Sequence, residues 1–431
     1  MFIEPDYKYM PTTTGISLPS PKGSRFVASC IALTCVLCFV LPSGYSYGSA
    51  LLCLTCIPLL LWFRPALSLT REDLWILSAL VFYVIAHFVI IQYHGSASRY
   101  FEEPSRFLLG IFVFLAVIGF KPSERSWWLG LAIGTILGGM VALWQLLQTD
   151  LPRAQGFMNA IQFGNLCLLM GCMCLAGLGW AHQQACPRRW VWLLILAAVM
   201  GLAASFFSGA RGGWVALPFL LGLLYLCFRH RMQRRFLLIG LTLMTALVVT
   251  LYLIPQTGVQ LRIEQMSSGL GGYMQGTHVD QSIGVRLEMW RAALAVASEK
   301  PWMGWGETGY VEPLVQLISD AASRTQVAEL DHLHNDILDT LVKRGALGVI
   351  ALLAVYLMPL IVFARVSLRA SPEDYRLRAF SLCGLLLVTG VIMFGFTQAF
   401  LRHNSGVTLF AFFMVVLWGY VRLAEPKVHS E

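Results

Sequence analysis

The sequence has few charged residues. Only 13% of its 431 residues are Asp, Glu, Lys or Arg, against roughly 25% in soluble globular proteins, and 57% are hydrophobic. This scarcity excludes an ordinary soluble protein, because most of the chain must face an apolar medium. The net charge of +8 does not indicate nucleic acid, since the basic residues are spread over many short segments, as in membrane proteins.

Cysteine is absent from the long polar segment near the C-terminus. All of the eleven cysteines except Cys186 lie in or at the end of apolar runs. Cys53 and Cys56 have the spacing of redox and metal motifs, but an apolar helix surrounds them. We therefore interpret all eleven as small apolar packing residues.

Apolar runs of membrane-spanning length, roughly 17 to 25 residues, recur along the chain. We place twelve of them, near 26–42, 47–63, 73–92, 106–120, 127–147, 159–181, 190–207, 212–228, 236–254, 345–364, 379–397 and 407–423. The predicted fold class is an all-α polytopic membrane protein. About nine transmembrane helices lie in 1–254, one large loop containing helices covers 255–343, and about three helices lie in 344–431.

The basic residues predict the orientation. If both termini are cytoplasmic, 19 of the 31 Lys and Arg residues lie on the inner side and five lie on the short outer segments. This bias follows the positive-inside rule, so the 255–343 loop is expected outside the cytoplasm. Within that loop, 267–276 is rich in Gly, Ser and Gln and is expected to be a mobile loop. A helix is expected from about 282, because Val285, Met289 and Ala293 recur at helical spacing, and a second helix is expected to start near His334.

The five arginines on the short outer segments oppose this bias. A guanidinium near the membrane costs a few kcal/mol unless an anion meets it, and its planar fork of donors matches phosphate oxygens. Alternatively, such arginines extend to lipid headgroups or pair with carboxylates such as Glu102 and Glu103. We favour the second interpretation for Arg99 and Arg402. We favour an anion for Arg211, which lies in a short glycine-rich connection, and leave both interpretations open for Arg106 and Arg153.

The segment from Leu330 to Gly348 holds the strongest candidate for chemistry. A neutral imidazole at His334, where the outer loop re-enters the membrane, is suited to act as a general base. Asp331 and Asp336 are expected to orient it or raise its pKa. Two alternatives stay open: His334 could merely cap the helix, or it could join Asp331, His332 and Asp336 in a metal site.

His334-Asn335, nine residues, Gly345, two residues and Gly348 together resemble the signature of the O-antigen ligase family, within the wider ligase and polymerase superfamily. Ser208-Gly-Ala-Arg-Gly-Gly-Trp214 resembles the short arginine loop of that family. Arg286-Leu-Glu-Met-Trp-Arg-Ala-Ala293, followed by Pro301-Trp-Met-Gly-Trp-Gly306, resembles the stretch with its second essential arginine. The N-terminal half resembles the family only in hydropathy.

The resemblance implies a glycosyltransferase of the GT-C-like membrane class without a cofactor or a metal. His334 would be the catalytic base, and Arg211 and Arg286 would bind the donor diphosphate. Weaker substrate-binding candidates are Arg106, Arg153, His332, Asn335, Trp290 and Tyr310. The implied partners are an undecaprenyl-diphosphate-linked glycan as donor, lipid A–core as acceptor and membrane lipids, with no nucleic acid.

The resemblance also implies the bacterial inner membrane, with the active site on the periplasmic side. Three other functions stay open. An O-antigen polymerase and a periplasmic protein O-oligosaccharyltransferase would need the same donor site and base. A transporter of a polyanionic lipid would need charges near helix centres, and His87 is the one titratable residue found deep in an apolar run.

Overall fold

The computed structural model describes residues 21–228, 284–318 and 321–425, with the isolated positions 260 and 264. These residues form helices and no strand. The helices are α1 Pro21–Val40, α2 Gly44–Phe63, α3 Arg71–Tyr93, α4 Glu102–Phe120, α5 Glu124–Gln148, α6 Ala160–Ala176, α7 Leu178–Ala181, α8 Pro187–Ser208, α9 Arg211–Phe228, α10 Gly284–Glu299, α11 Val311–Gln316, α12 Ala321–Ala328, α13 Asp336–Arg369, α14 Tyr375–Gly395 and α15 Asn404–Ala424, with a 3₁₀ turn at Ser98–Phe101.

Ten helices in the described ranges are long and apolar enough to cross a membrane, and α6 is a shorter apolar helix. These eleven correspond to eleven of the twelve predicted spans, and the span predicted at 236–254 lies outside the described residues. The all-α polytopic membrane fold is confirmed. Nine of the eleven cysteines are buried and none is bonded to another, which confirms those nine as packing residues, whereas Cys186 is exposed and does not fit that interpretation.

The helix ends gather at two opposite ends of the bundle. We call one the terminal end, because α1 starts and α15 finishes there. Its contacts include the Arg422 Nε–Asp73 carboxylate pair at 3.0 Å and the bond from Ser24 Oγ to Lys121 O at 3.2 Å. The other, which we call the loop end, carries the connections 94–101, 149–159, 209–210, 300–335 and 396–403. The candidate residues of the long loop therefore meet only those helix ends.

Helix α13 is broken at Gly345, where φ is 63° and ψ is −164°. The break lets the segment 301–306 dock on the helix, with Trp305 N bonded to Val342 O at 2.9 Å and Ala346 N bonded to Pro301 O at 2.7 Å. A β-carbon at Gly345 would lie 2.4 Å from the Trp302 carbonyl, so the positive φ and the close approach both require glycine. A glycine of the His-Asn-x9-Gly-x-x-Gly motif therefore shapes the backbone that supports the histidine.

The described residues of the long loop have a small core of their own beside the large core of the bundle. The predicted helix from about 282 is α10, whose Val285, Met289 and Ala293 are buried as the periodicity indicates. They pack with residues of α11 and of the first turns of α13. The loop predicted at 267–276 lies outside the described residues. This second core fixes α10 against the start of α13, and so fixes Arg286 relative to His334.

Candidate active site

Residues 330–335, which we call the histidine loop, are held in place by side chains of α13 and α10. Lys343 is fully buried and pairs with Asp339 at 2.9 Å. The same carboxylate accepts the backbone N–H of Leu333 at 3.0 Å, and the indole N–H of Trp290 donates to the Leu333 carbonyl at 2.8 Å. These contacts fix the loop before any ligand is present. Trp290 thus supports the loop, and its predicted contact with substrate stays a prediction.

Asn335 is the N-cap of α13. Its side-chain oxygen accepts the N–H groups of Ile337 and Leu338, each at 3.0 Å, and its amide nitrogen donates to the Phe396 carbonyl at 3.3 Å. Two otherwise unpaired N–H groups of the helix start are satisfied in this way. Asn335 therefore links the histidine loop to the connection between α14 and α15.

His334 has a left-handed backbone, with φ of 50°, which is uncommon and strained for a residue with a β-carbon. Its Nδ1 lies against Oε1 of Gln398, and a carbonyl oxygen can only accept, so Nδ1 carries the proton and the neutral ring has its lone pair on Nε2. Burial and the charge of Arg286 lower the pKa of His334 to about 3. The ring is therefore neutral at physiological pH, as a general base must be before it reacts.

The expectation that Asp331 and Asp336 orient His334 or raise its pKa is wrong. Asp336 turns into the bundle, where it accepts the Tyr356 hydroxyl at 2.8 Å and the Leu401 N–H at 3.2 Å. The Asp331 carboxylate is 3.6 Å from Nε2 of His332 instead. Neighbours in sequence diverge here because the left-handed residue reverses the chain just before the helix starts.

Arg286 projects from α10 towards the same place. Its Nη1 donates to the Thr397 carbonyl at 3.3 Å, one residue before the glutamine that holds His334. Burial and the positive charge of Arg211 lower the pKa of Arg286, and the charge of Arg286 in turn lowers the pKa of His334. In the described ranges no carboxylate lies within 4 Å of Arg286. The site is therefore rich in positive charge.

Arg211 is the first residue of α9 and follows the two-residue turn at 209–210. The turn packs tightly on the connection that contacts Arg286, since a β-carbon at Gly212 would lie 2.2 Å from Thr397 Oγ1. Arg153 lies on the same side of the bundle, because the N–H of Ala154 bonds to the Phe207 carbonyl at 3.0 Å, at the end of α8. The two motif arginines and the histidine, distant along the chain, thus meet around Thr397 and Gln398.

Arg106 lies apart from this group. In the described part of the chain no contact joins it to His334 or Arg286, and its electrostatic neighbours are Glu103, Glu102 and Tyr45. One nitrogen of its guanidinium, Nη1, is buried without a hydrogen-bond partner. Its predicted contact with substrate stays a prediction.

Two other arginines at the loop end are neutralised. Arg344 pairs with Glu307 at 2.8 Å and Glu103 at 3.3 Å, and Arg402 lies 3.6 Å from each of the same carboxylates. We call these four residues the ion-pair network. Burial alone would raise the pKa of Glu307, but the nearby cations lower it to about 2. The pairing predicted for Arg402 is confirmed, and His87 is a packed residue that accepts a hydrogen bond from Arg344 at 3.1 Å.

Two weaker candidates are buried. Tyr310 is only 2% exposed, and the ammonium of Lys343 lies 5.2 Å from the centre of its ring. Its ring belongs to the core of the long loop, and the predicted contact of Tyr310 with substrate stays a prediction. His332 is 6% exposed, and its Nδ1 accepts the backbone N–H of His334 at 3.4 Å. It packs edge-on against His334 and His403, so its visible role is to support the catalytic candidate.

The described ranges contain no group of three or more His, Cys, Asp or Glu arranged to hold a metal ion. The side chains that the sequence suggested as ligands have other partners. Asp336 is bonded to Tyr356 and Leu401, and the two histidines of the loop face each other and Gln398. The metal alternative therefore has no support in the geometry.

Sequence reasoning missed the connection 396–403 between α14 and α15. It accepts hydrogen bonds from Asn335 and Arg286 and contacts His334 through Gln398, which is 1% exposed. The predicted span 379–397 ended there, and no motif marks the segment. The one available signal was the short polar sequence Thr397-Gln398 between two apolar runs.

Comparison with known proteins supports the resemblance read from the motifs. Residues 196–353 match the model of a family described as O-antigen ligase, and this range contains Arg211, Arg286, His334 and Gly345. The resemblance is confirmed over this segment. This match supports O-antigen ligase activity or a related polymerase or oligosaccharyltransferase activity, and it supports a lipid-linked glycan as a partner in a membrane.

The likeness to one other protein extends over most of the chain. A protein of Haemophilus influenzae, described as uncharacterized, is 24% identical over 378 residues, which is 87% of this chain and 93% of that protein. The N-terminal helices outside the family match are therefore shared with a relative of similar length. That relative carries no description of an activity.

Proposed function

We propose that this protein, whose segment 196–353 matches the O-antigen ligase family, transfers an undecaprenyl-diphosphate-linked O-antigen glycan to a sugar hydroxyl of lipid A–core. The observation that carries the proposal is the meeting of one neutral imidazole and two guanidinium groups around Thr397 and Gln398. A base and an anion site are the two functions that such a transfer requires.

His334 acts as the general base through Nε2, since Nδ1 is engaged by Gln398. The acceptor oxygen attacks the anomeric carbon of the donor sugar while its proton passes to Nε2. The bond between that carbon and the phosphate oxygen breaks, and its electron pair leaves with undecaprenyl diphosphate. A single displacement inverts the configuration at the anomeric carbon. The energy is already present in the donor diphosphate bond, so no nucleotide is needed.

Arg211 and Arg286 bind the diphosphate. Negative charge grows on the leaving oxygens in the transition state, and fixed cations in a partly dry site stabilise it without reorganising. Two guanidinium groups can supply the charge that a divalent cation supplies in other transferases, so the reaction is proposed to be metal-independent. The dianionic donor carries charge opposite to that of the two arginines.

Donor binding also prepares the base. The charge of Arg286 contributes to the low pKa of His334 in the empty site. A diphosphate bound between the arginines offsets that charge, so the pKa of His334 rises and the imidazole becomes a better proton acceptor. The base is therefore strengthened only when the donor is in place.

The site lies at the loop end of the bundle. Within the proposal this end faces the periplasm, both termini are cytoplasmic and the membrane is the bacterial inner membrane. The excess of basic residues on the segments of the terminal end supports this orientation.

Lipopolysaccharide profiles of a deletion strain test the proposal. A ligase defect leaves bare lipid A–core while lipid-linked polymer accumulates. Single repeat units on the core would indicate a polymerase, loss of glycan from periplasmic proteins with a normal profile would indicate a protein oligosaccharyltransferase, and accumulation of undelivered lipid-linked glycan on the cytoplasmic side would indicate a transporter.

Complementation of that strain tests the base. His334→Ala should lower transfer by about 10²- to 10⁴-fold, the range for loss of a general base, while the protein stays folded in the membrane. His182→Ala is the matched control, because His182 is exposed at the terminal end. Wild-type glycan attachment by the His334 variant would refute the assignment. EDTA should leave transfer by the purified protein unchanged, and a loss restored by magnesium or manganese would refute the metal-free mechanism.

A further inference from the structure

Gln398 is a buried side chain that lies beside the proposed base. It is 1% exposed in the connection 396–403, and it bridges two histidines. Its Oε1 faces Nδ1 of His334, and its Nε2 lies 2.7 Å from Nε2 of His403. A neutral amide has one accepting and one donating end, so the two rings cannot be arranged independently.

The orientation of the amide determines where both rings carry their protons. The carbonyl oxygen accepts, so His334 carries its proton on Nδ1. The amide nitrogen donates, so His403 has its lone pair on Nε2 and its proton on Nδ1. If the amide turned over, its nitrogen would face Nδ1 of His334, and the proton of that ring would move to Nε2. A ring protonated on Nε2 cannot accept a proton from the substrate there.

His403 satisfies the donating end of the amide. Burial and the nearby His332 lower the pKa of His403 to about 4, so the ring stays neutral and keeps a lone pair for the glutamine. The other titratable groups that face this assembly are His332 and Arg286, beside His334, and Arg402, Asp331 and Asp339, beside His403. Neither group beside His334 is the carboxylate that most often orients a catalytic histidine.

We propose that Gln398 is a positioning residue that, with His403 behind it, holds the catalytic histidine in the tautomer whose Nε2 can accept the proton of the acceptor hydroxyl. The inference rests on the proposed function, because it needs His334 to be the base. A neutral amide suits this site better than a carboxylate, since it fixes the tautomer without competing with the diphosphate for the arginines.

Gln398→Met tests the tautomer. The side chain keeps its length but loses both hydrogen bonds, so kcat should fall by at least about tenfold while KM for the donor stays unchanged. Gln162→Met is the matched control, since Gln162 is also fully buried and contacts the same connection at Phe400, without a histidine partner. Equal kcat in wild type and Gln398→Met, or equal losses in both variants, would overturn the inference.

Gln398→Glu gives a second readout that a purely structural residue would not move. The carboxylate still accepts from Nδ1 but favours the charged ring, so the acid limb of the kcat profile should move to higher pH, with activity retained on the alkaline side. An unchanged limb would contradict the positioning role.

Nitrogen NMR of histidine-labelled protein reports the tautomer directly and without turnover. Nδ1 of His334 should be the protonated nitrogen in wild type and in Gln162→Met, and the signal should shift towards mixed protonation in Gln398→Met. A fully active His334→Ala variant would refute the proposed base, on which the role of Gln398 rests, while the lipopolysaccharide profile of the deletion strain tests the proposed function separately. An inactive His334→Ala with an active Gln398→Met would refute only the role of Gln398.

Discussion

Two groups of arginines lie at the same end of this molecule and have opposite surroundings. In the ion-pair network, Arg344 and Arg402 share the carboxylates of Glu103 and Glu307, and four charges sum to zero. Arg286, beside His334, has a backbone carbonyl as its neighbour, and the closest charge that affects it is another arginine. The arginines of the ion-pair network and Arg286 lie at the same end of the bundle, but in the part of the chain that the structure describes only the former have carboxylates that balance their charge.

The difference separates arginines that pair with carboxylates from an arginine that has none within 4 Å in the described ranges. Compensated charges gain their stabilisation within the fold, and removing one leaves its partners buried and unpaired. A cation without such a partner, as Arg286 is in the described ranges, is suited to bind an anion. A sequence that places arginines against the positive-inside bias therefore needs the carboxylates to be located before any of them is assigned to a ligand.

The largest effect on the fold is expected from Arg344→Met. It leaves the 3.6 Å contacts to Arg402 as the ion pairs of Glu103 and Glu307 in the described ranges, so the free energy of unfolding should drop by about 3 to 5 kcal/mol. Thermal unfolding in detergent measures the loss. Arg369→Met is the control, since its contact with Glu72 is exposed and 3.8 Å long. Equal stability of the two variants would mean that the network is not structural.

Arg286→Met is expected to reverse this pattern. The change removes repulsion with Arg211 and breaks no ion pair in the described ranges, so thermal stability should stay the same or increase. Transfer should fall by about 10²- to 10³-fold, the size seen when one group that stabilises a transition-state anion is lost. Stability and transfer are measured on the same preparation. A destabilised Arg286→Met protein would place this arginine with the structural group.

The smallest effect is expected from pH. As the proposed base, His334 must be unprotonated, and the unprotonated ring is present above its pKa and lost as the pH falls through it. With that pKa lowered to about 3, kcat/KM for the donor should show no acid limb between about pH 5 and pH 8. Glu307, with a pKa of about 2, keeps the network ionised over the same range. An acid limb near neutrality would show that the charge of Arg286 does not reach the histidine.

Hydropathy predicted the helices, and motif spacing selected Arg211, Arg286 and His334, which the structure brings together. The apolar runs predicted α1 to α9 and α13 to α15, and Gly345 marked the point where α13 breaks. The periodicity of Val285 and Met289 located α10. These features depend on local composition, which a single sequence contains.

The tertiary contacts of individual side chains could not be predicted from the sequence. Glu103 pairs with Arg344, 241 positions away, although Arg106 is the nearer arginine in sequence. Asp336 is adjacent to the histidine motif but faces Tyr356, and Gln398 contacts His334 from the far side of two helices. Tyr310 looked suitable for a sugar and is buried. Each depends on how helices pack, and no local pattern records that.

The left-handed backbone at His334 makes thermal stability and the proposed transfer favour different residues at one position. Asparagine and glycine adopt that geometry readily, whereas the imidazole is held in it by the loop around it. Exchanging the ring for either residue should make the protein harder to unfold as it becomes inert. A screen that selects only for thermal resistance would therefore tend to discard the residue on which the proposed transfer depends.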